Sequence, residues 1–245
     1  MAWPDEYGRR VLTELDSTNA EAARIESDLH GPEWILALHQ TAARGRRGRV
    51  WSFPAGNFAA TLVLFPHDPP DQIALRSFAA ALALYDAVAE LTGTASGLAL
   101  KWPNDVLLNG GKMAGILLER LPRGGLAIGI GVNLIAAPDM GQVEARALRP
   151  VSVLAEVGIR VQPERMLDAL ASAYDFWEHS LTEQGFAPLR AVWLDRATRL
   201  GETITARLPG REVTGVFETV DLEGHLVLKT AKGREVIAAA DVFFE

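Results

Sequence analysis

Residues 101–106 read Lys-Trp-Pro-Asn-Asp-Val, and residues 112–119 read Lys-Met-Ala-Gly-Ile-Leu-Leu-Glu. Asn109-Gly110 lies between them, and this dipeptide is a strong signal for a two-residue turn between antiparallel strands. The pattern therefore predicts a β-hairpin. Each strand carries one lysine, Lys101 or Lys112, beside residues that would be buried, and lysine is rarely buried fully without a partner.

Two interpretations of these lysines are open. In the structural one, Lys101 pairs with Asp105 across the turn at Pro103, and Lys112 caps the hairpin at the surface. In the other, the ammonium groups belong to a functional site. Gly115, inside the second strand, indicates that a ligand or another backbone packs closely there, since glycine within a strand often marks such an approach.

A second unusual stretch, residues 44–51, is called the arginine loop below. Its glycines allow backbone amides to approach a ligand, and guanidinium groups match phosphate oxygens in pairs. Four cations so close together repel one another unless an anion joins them, so a phosphate site, a solvated basic loop and an RNA-binding loop are all possible. No acidic residue lies between Gln40 and Trp51. The four cations are Arg44, Arg46, Arg47 and Arg49.

Composition restricts the class of protein. A net charge of −7 argues against a general nucleic-acid binder. The absence of cysteine excludes disulfides, zinc–thiolate sites and thiol nucleophiles. Five scattered histidines predict no metal site, and no Walker loop, dinucleotide fingerprint or nucleophile elbow is present. No apolar run reaches the ~18 residues of a membrane span, and no secretory leader is visible, which favours a cytoplasmic enzyme.

Hydrophobic patterning predicts alternating strands and helices, followed from about residue 200 by short alternating segments that are typical of a small β-barrel. A capping-box pattern, Thr18 to Glu21, predicts the start of the first helix. The predicted strands are 10–15, 34–39, 58–65, 98–102, 106–108, 113–119, 125–134, 203–207, 213–220, 226–229 and 235–238, and the predicted helices are 18–27, 73–91, 163–184 and 187–195.

The order and spacing of four motifs resemble the biotin protein ligase family, the biotin–[acetyl-CoA-carboxylase] ligases. The resemblance runs from about residue 11 to the C-terminal barrel. One departure is Ala43, where the family commonly begins its loop with glycine. The four motifs are the arginine loop, the hairpin at 101–119, Leu-Asp-Ser-Thr-Asn at 15–19, and Gly-Ile-Gly-Val-Asn-Leu at 129–134.

The resemblance implies an α+β fold with two domains. Residues 1–198 would form a mixed β-sheet flanked by helices, like the class II aminoacyl-tRNA-synthetase-like catalytic domain of biotin and lipoate ligases. Residues 199–245 would form an SH3-like β-barrel. About fifteen residues precede Asp16, too few for a helix-turn-helix unit, so we expect the monofunctional type without a DNA-binding domain. A monomer and a homodimer are both compatible with the sequence.

The reaction implied by the resemblance has two halves. Biotin and ATP, with Mg²⁺, give biotinyl-5′-AMP, and a lysine of a biotin carboxyl carrier domain then takes the biotin. Biotin and ATP are substrates, and no tightly bound prosthetic group, nucleic acid or membrane is expected. The implied catalytic residues are Lys112, Arg46 and Asp105. Lys112 would neutralise charge between the biotin carboxyl and the α-phosphate, and Arg46 would retain the adenylate. Asp105, at the mouth of the site, would accept or steer the proton of the carrier lysine.

Binding residues follow from the same resemblance. Some of the residues named below have a structural interpretation as well: Ser17 and Thr18 are good helix caps, and Gln40 is a plausible strand end. Trp51 either stacks near adenine or belongs to the core. The implied biotin-binding residues are Ser17, Thr18, Asn19, Gln40, Arg44, Gly45, Arg46, Lys112, Gly115 and Gly131. The implied nucleotide-binding residues are Arg44, Arg46, Arg47, Trp51, Lys101, Asn104, Lys112 and Asn133.

Residues 41–53 are expected to be mobile in the free enzyme and to close over the ligand, because a labile adenylate needs protection from water. Two alternatives to a biotin ligase remain: a lipoate ligase on the same fold, and a non-catalytic module that binds RNA or a partner through the arginine loop. The related cysteine-type octanoyltransferases are excluded by the lack of cysteine.

Overall fold

The computed structural model describes residues 3–144 and 146–244, and within these it contains twelve strands and six α-helices. The strands are β1 Gly8–Leu12, β2 Glu33–Ala37, β3 Phe58–Leu64, β4 Leu98–Lys101, β5 Asp105–Leu108, β6 Gly111–Arg120, β7 Leu126–Val132, β8 Thr203–Leu208, β9 Arg211–Val220, β10 Leu226–Thr230, β11 Gly233–Ile237 and β12 Asp241–Phe244. The helices are α1 Thr18–Ile25, α2 Pro70–Ala74, α3 Arg76–Thr92, α4 Val153–Val157, α5 Pro163–Gln184 and α6 Phe186–Asp195.

The larger sheet has seven strands in the order β1-β2-β3-β7-β6-β5-β4. The β1–β2 pair is parallel and the other pairs are antiparallel, so the sheet is mixed. Helices α3 and α5 pack on one face over the main core, and α1 packs on the other face over a small cluster that includes Ala22 and Ile35. The predicted α+β architecture is confirmed.

Among the described residues, one helical stretch, Pro70–Thr92, is long and apolar enough to cross a membrane by length and composition alone. Most of this stretch is buried inside the protein, where α3 packs against α5 and the sheet. A core helix of a folded domain has the same composition, because it is covered on nearly all sides.

The predicted hairpin is present, with β5 and β6 joined at Asn109 and Gly110. These two residues have φ angles of 49° and 76°, as a type I′ turn requires. A register shift between Val106 and Leu107 marks a bulge in the pairing. The hairpin lies toward the β4 edge of the large sheet, where Lys101 and Lys112 are also found.

The C-terminal strands form a second, antiparallel sheet in the order β11-β10-β9-β8-β12, consistent with the predicted SH3-like domain. It contacts the hairpin region directly, since Trp102 Nε1 donates a 3.0 Å hydrogen bond to the Gly224 carbonyl. Arg190 of α6 donates to the Val220 carbonyl and to Thr219 Oγ1. The last strand, β12, also lies beside the large sheet, since Lys101 Nζ of β4 lies 5.5 Å from the centre of the Phe244 ring.

Local predictions differ from the structure at a few places. The predicted Thr18 cap is wrong: Ser17 is the N-cap, and the Thr18 amide instead donates to Gln40 Oε1 at 2.7 Å. The helix predicted at 73–91 is two helices that meet at Leu75. Helix α4, of five residues, and strand β12, of four, were not predicted.

A buried carboxylate joins α1 to the turn between β6 and β7. The Glu26 side chain is 4% exposed and accepts hydrogen bonds from the backbone amides of Arg123 and Gly125 at 2.9 and 2.8 Å. These two amides have no strand partner, so the carboxylate satisfies donors that would otherwise be buried alone.

We expect Glu26→Ala to lower the free energy of unfolding by about 1–3 kcal/mol, the usual cost of a buried unsatisfied donor. Urea titration followed by circular dichroism measures the change. Glu183→Ala, at an exposed position on α5, is the matched control and should stay within about 0.5 kcal/mol. Equal stability of the two variants would contradict this assignment.

Candidate active site

A cavity of about 610 Å³ lies between the large sheet, the arginine loop and strand β12. It is lined by every residue that the resemblance assigned to biotin, nucleotide or catalysis except Arg47, whose guanidinium binds the lining residue Asp241. Residues 138–144 and 146–150, which the sequence did not single out, line its outer side in part. The N-terminus of α1 and Gln40 line one end, and the lysine-bearing hairpin lines the other.

The floor of the cavity is flat because small residues face one another across three strands. Gly131 of β7 pairs with Gly115 of β6 and with Ala59 of β3. The Trp51 ring lies on this floor: a Cβ atom at Gly131 would come within 2.9 Å of it, and one at Gly115 within 3.4 Å. The close neighbour expected at Gly115 is therefore an indole ring.

Trp51 is positioned by the loop rather than by the main core. Its amide donates to the Ala43 carbonyl at 3.0 Å, and its Nε1 is buried without a hydrogen-bond partner among the described residues. Lys112 Nζ lies 5.7 Å from the centre of the ring. The indole thus covers the glycine floor while leaving one donor unsatisfied inside the cavity.

Both lysines of the hairpin converge on one carboxylate. Asp105 Oδ1 lies 2.7 Å from Lys112 Nζ, and Asp105 Oδ2 lies 3.7 Å from Lys101 Nζ. The Lys101–Asp105 pair of the structural interpretation is present. Lys112, however, is not a surface cap, because its ammonium points into the cavity and its side chain is only 32% exposed. The Asp105 carboxylate lies beneath Lys112 and is 13% exposed, so it is not at the mouth as expected.

Burial and charge act in opposite directions on these groups. Burial alone would raise the pKa of Asp105, but the ammonium groups of Lys112 and Lys101 outweigh it and bring that pKa below its ordinary value. Burial lowers the pKa of Lys101, and Asp105 offsets this only in part. The carboxylate is therefore ionised and holds Lys112 in place beside the cavity.

The arginine loop is a short hairpin of its own. The Gly45 amide donates to the Arg49 carbonyl at 2.8 Å, and Arg47 adopts a left-handed φ of 58° at the tip. Arg47 and Arg49 both bind Asp241 of β12, at 2.6 and 2.9 Å. Anions do join these cations, as expected, but they are carboxylates of the chain itself that lie far away in sequence, so a bound ligand is not needed to hold the arginines together.

Two other acidic residues complete this neutralisation. Glu119 lies 3.1 Å from Arg44, and Glu144 lies 3.0 Å from Arg49. Arg46 differs: among the described residues it has no salt-bridge partner, and Nη1 donates to Asn104 Oδ1 at 3.3 Å. Burial lowers the pKa of Arg46. Arg46 is thus the loop cation that remains available to a ligand, whereas closure of residues 41–53 stays a prediction.

Polar groups of the remaining site residues are arranged at the two ends of the cavity. Asn19 is 5% exposed and lies between Thr61 and Glu119, two residues the sequence did not single out. Asn133 is 2% exposed, and its Oδ1 has no hydrogen-bond partner among the described residues. An orphaned buried amide oxygen that faces a cavity suits a ligand donor or a cation.

The site places cationic side chains over a flat floor formed by the mixed sheet, beside the small antiparallel sheet. Such cations can bring a carboxylate and a nucleotide phosphate together, which suits the activation of an acid by a nucleotide. The profile of the Biotin/lipoate A/B protein ligase family matches residues 10–134, and that of the Biotin protein ligase C terminal domain matches residues 200–245. The chain belongs to the biotin/lipoate protein ligase family.

Individual relatives agree with this assignment. The chain is 55% identical over 238 residues to a biotin–[acetyl-CoA-carboxylase] ligase of Paracoccus denitrificans, covering 96% of this chain and 99% of that protein. It is 34% identical to the ligase of the same name from Mycobacterium tuberculosis, covering 95% and 87%. The structure of the Aquifex aeolicus biotin protein ligase in complex with biotin and ATP has the same fold, with a TM-score of 0.85 at 22% identity, covering 97% and 99%.

We expect Gly131→Ala to displace the Trp51 ring, since a new Cβ would lie 2.9 Å from it. Acrylamide quenching of fluorescence should then increase, and the increase should vanish when Trp51→Phe is added. Gly31→Ala, where a Cβ meets nothing within 4 Å, is the control. Unchanged quenching in Gly131→Ala would show that the ring does not rest on this floor in solution.

Proposed function

We propose that the protein is an ATP-dependent biotin protein ligase that forms biotinyl-5′-AMP and transfers biotin to a lysine of a biotin carboxyl carrier domain of the acetyl-CoA-carboxylase type. The observation that carries this proposal is the pair of cations, Lys112 on its carboxylate and Arg46 without one, facing a single cavity with a flat floor. The relatives named above support the choice of biotin.

The first half-reaction brings a carboxylate to a polyanion. Two unit charges 4 Å apart interact by about 4 kcal/mol at an effective dielectric constant of 20, so approach needs nearby cations. A biotin carboxylate oxygen forms a bond to the α-phosphorus, the bond to the bridging oxygen breaks, and pyrophosphate leaves. Lys112 is placed to contact both reacting groups, and Arg46 to retain the adenylate, so that catalysis is mainly positioning and charge stabilisation.

In the second half-reaction a carrier lysine attacks the acyl carbon, AMP leaves with the bonding electrons, and the amine loses a proton. A free lysine with a pKa of about 10.4 is neutral in roughly 0.04% of molecules at pH 7. Asp105 is the proposed group that steers this proton. Because its pKa is lowered by two lysines, it would act by attracting the incoming ammonium group rather than by storing the proton.

The two ends of the cavity suit the two substrates. Hydroxyl and amide groups at the α1 end offer both donors and acceptors, which a neutral ureido ring needs. They belong to Ser17, Thr18, Asn19 and Gln40. At the other end Arg46, Trp51, Lys101, Asn104 and Asn133 would contact the nucleotide, with Arg47 beside Asp241.

Mg²⁺ would enter with ATP and neutralise phosphate charge. The described residues contain no cluster of three or more His, Asp or Glu side chains that could hold a metal ion by themselves. The orphaned amide oxygen of Asn133 fits an oxygen ligand of such an ion.

We also propose the division into a catalytic domain, residues 1–198, and an SH3-like domain, residues 199–245, whose β12 completes the cavity wall. A cytoplasmic enzyme, active as a monomer or a homodimer without nucleic acid or membrane, is the corresponding biological setting. Three of the four loop arginines are occupied by carboxylates, which disfavours the RNA-binding alternative.

Biotin-dependent exchange of labelled pyrophosphate into ATP tests the first half-reaction. We expect Lys112→Met to lower its rate by about 10²–10³-fold, the usual effect of losing one group that stabilises developing charge. Lys232→Met, at an exposed position on the β10–β11 turn, is the control and should retain the rate. Exchange that depends on lipoate instead of biotin would favour a lipoate ligase, and an unchanged rate in Lys112→Met would refute the role of that residue.

A second variant separates the two halves. Asp105→Asn should slow adenylate synthesis, because Lys112 loses its carboxylate partner, and should slow the transfer of biotin to the carrier to a greater extent. Single-turnover transfer from preformed biotinyl-5′-AMP, compared with pyrophosphate exchange, measures the two rates. Equal losses in both would mean that Asp105 serves only to position Lys112.

A further inference from the structure

Glu119 occupies the far end of the same strand face that carries the cavity floor. Side chains alternate along β6, so Gly115, Leu117 and Glu119 face the same side. Glu119 pairs with Ala127 of β7, four residue pairs beyond the Gly115–Gly131 pair. Its carboxylate therefore lies on the cavity side of the sheet, beside the α1 end, although the side chain does not line the cavity.

One oxygen of this carboxylate binds two site residues at once. Glu119 Oε2 accepts a 2.7 Å hydrogen bond from Asn19 Nδ2 and lies 3.1 Å from Arg44 Nη2. Asn19 comes from the first turn of α1, and Arg44 from the base of the arginine loop, where it pairs with Val50. Glu119 thus connects the two segments that close this end of the cavity.

The connection fixes the orientation of the Asn19 amide. Thr61 Oγ1 donates to its oxygen at 2.6 Å, and Glu119, which can only accept, takes a proton of its nitrogen. The amide group stands directly over the sheet, since a Cβ at Gly129 would lie 2.2 Å from its oxygen. A flipped amide would place the Asn19 oxygen against the Glu119 carboxylate, which can only accept.

We propose that Glu119 is a positioning residue for the biotin head: it holds the Asn19 amide and the Arg44 guanidinium in register before the ligand arrives. This inference rests on the proposed biotin ligase function. Glu119 does not line the cavity, so we expect its loss to weaken the binding of biotin and to leave the chemical step unchanged. A carboxylate is required because a neutral amide could accept from Asn19 but would not attract Arg44.

The test compares Glu119→Ala and Glu119→Gln with wild type in biotin-dependent pyrophosphate exchange and in calorimetric titration with biotin alone. We expect the alanine variant to raise the KM and the Kd for biotin by about ten-fold or more, with kcat and the KM for ATP within about two-fold. The glutamine variant, which keeps the shape and one acceptor, should be intermediate. Glu218→Ala, which removes a comparable surface pair with Arg234, is the control.

A merely structural ion pair predicts a different result: a lower melting temperature with an unchanged KM for biotin. That outcome, or a fall in kcat without a change in biotin affinity, would overturn the proposal. If the alanine variant does not fold, the glutamine variant is the test of the proposal. A Kd for biotin equal to that of wild type in Glu119→Gln would show that the negative charge of Glu119 is not needed. Absence of biotin-dependent exchange in wild type would instead refute the proposed function itself.

Discussion

One carboxylate, Asp105, holds two ammonium groups at the edge of the cavity, and the arrangement of the site depends on it. Without it Lys101 of β4 and Lys112 of β6 would repel each other on either side of β5, and the buried Lys101 would be uncompensated. The hairpin provides the geometry, since Asp105 begins β5 and Lys112 lies near the start of β6. A fixed cation at this point costs no rearrangement when a negatively charged substrate arrives.

In the arginine loop, too, carboxylates hold cationic side chains in place beside the cavity. Three of its four arginines are held by acidic residues from three other parts of the chain, so they remain close together without a ligand. Asp241 is the most informative of these, because it belongs to the C-terminal sheet and binds two loop arginines. The small domain therefore contributes directly to the charge balance of the cavity, in a protein whose net charge is −7.

Sequence reasoning succeeded where the signal is local. The Asn-Gly turn predicted the hairpin, and the apolar period predicted the helix at 163–184, which the structure has as Pro163–Gln184. It failed where partners are distant: Asp241 is 194 residues from Arg47, and Glu119 is 75 from Arg44. Ser17 rather than Thr18 is the N-cap of α1, and the Thr18 amide donates to Gln40, a residue 22 positions away in sequence. The candidate residues were found as a group through motif spacing, but their mutual contacts depend on the folded sheet.

The ionisation of Asp105 tests the central claim most directly. We would follow the carboxyl carbon of Asp105 by ¹³C NMR as a function of pH and assign it with Asp105→Asn. The account predicts a pKa below the ordinary value of about 3.9, rising when Lys112 is replaced by methionine. A pKa at or above the ordinary value in wild type, or one unaffected by the loss of Lys112, would contradict it.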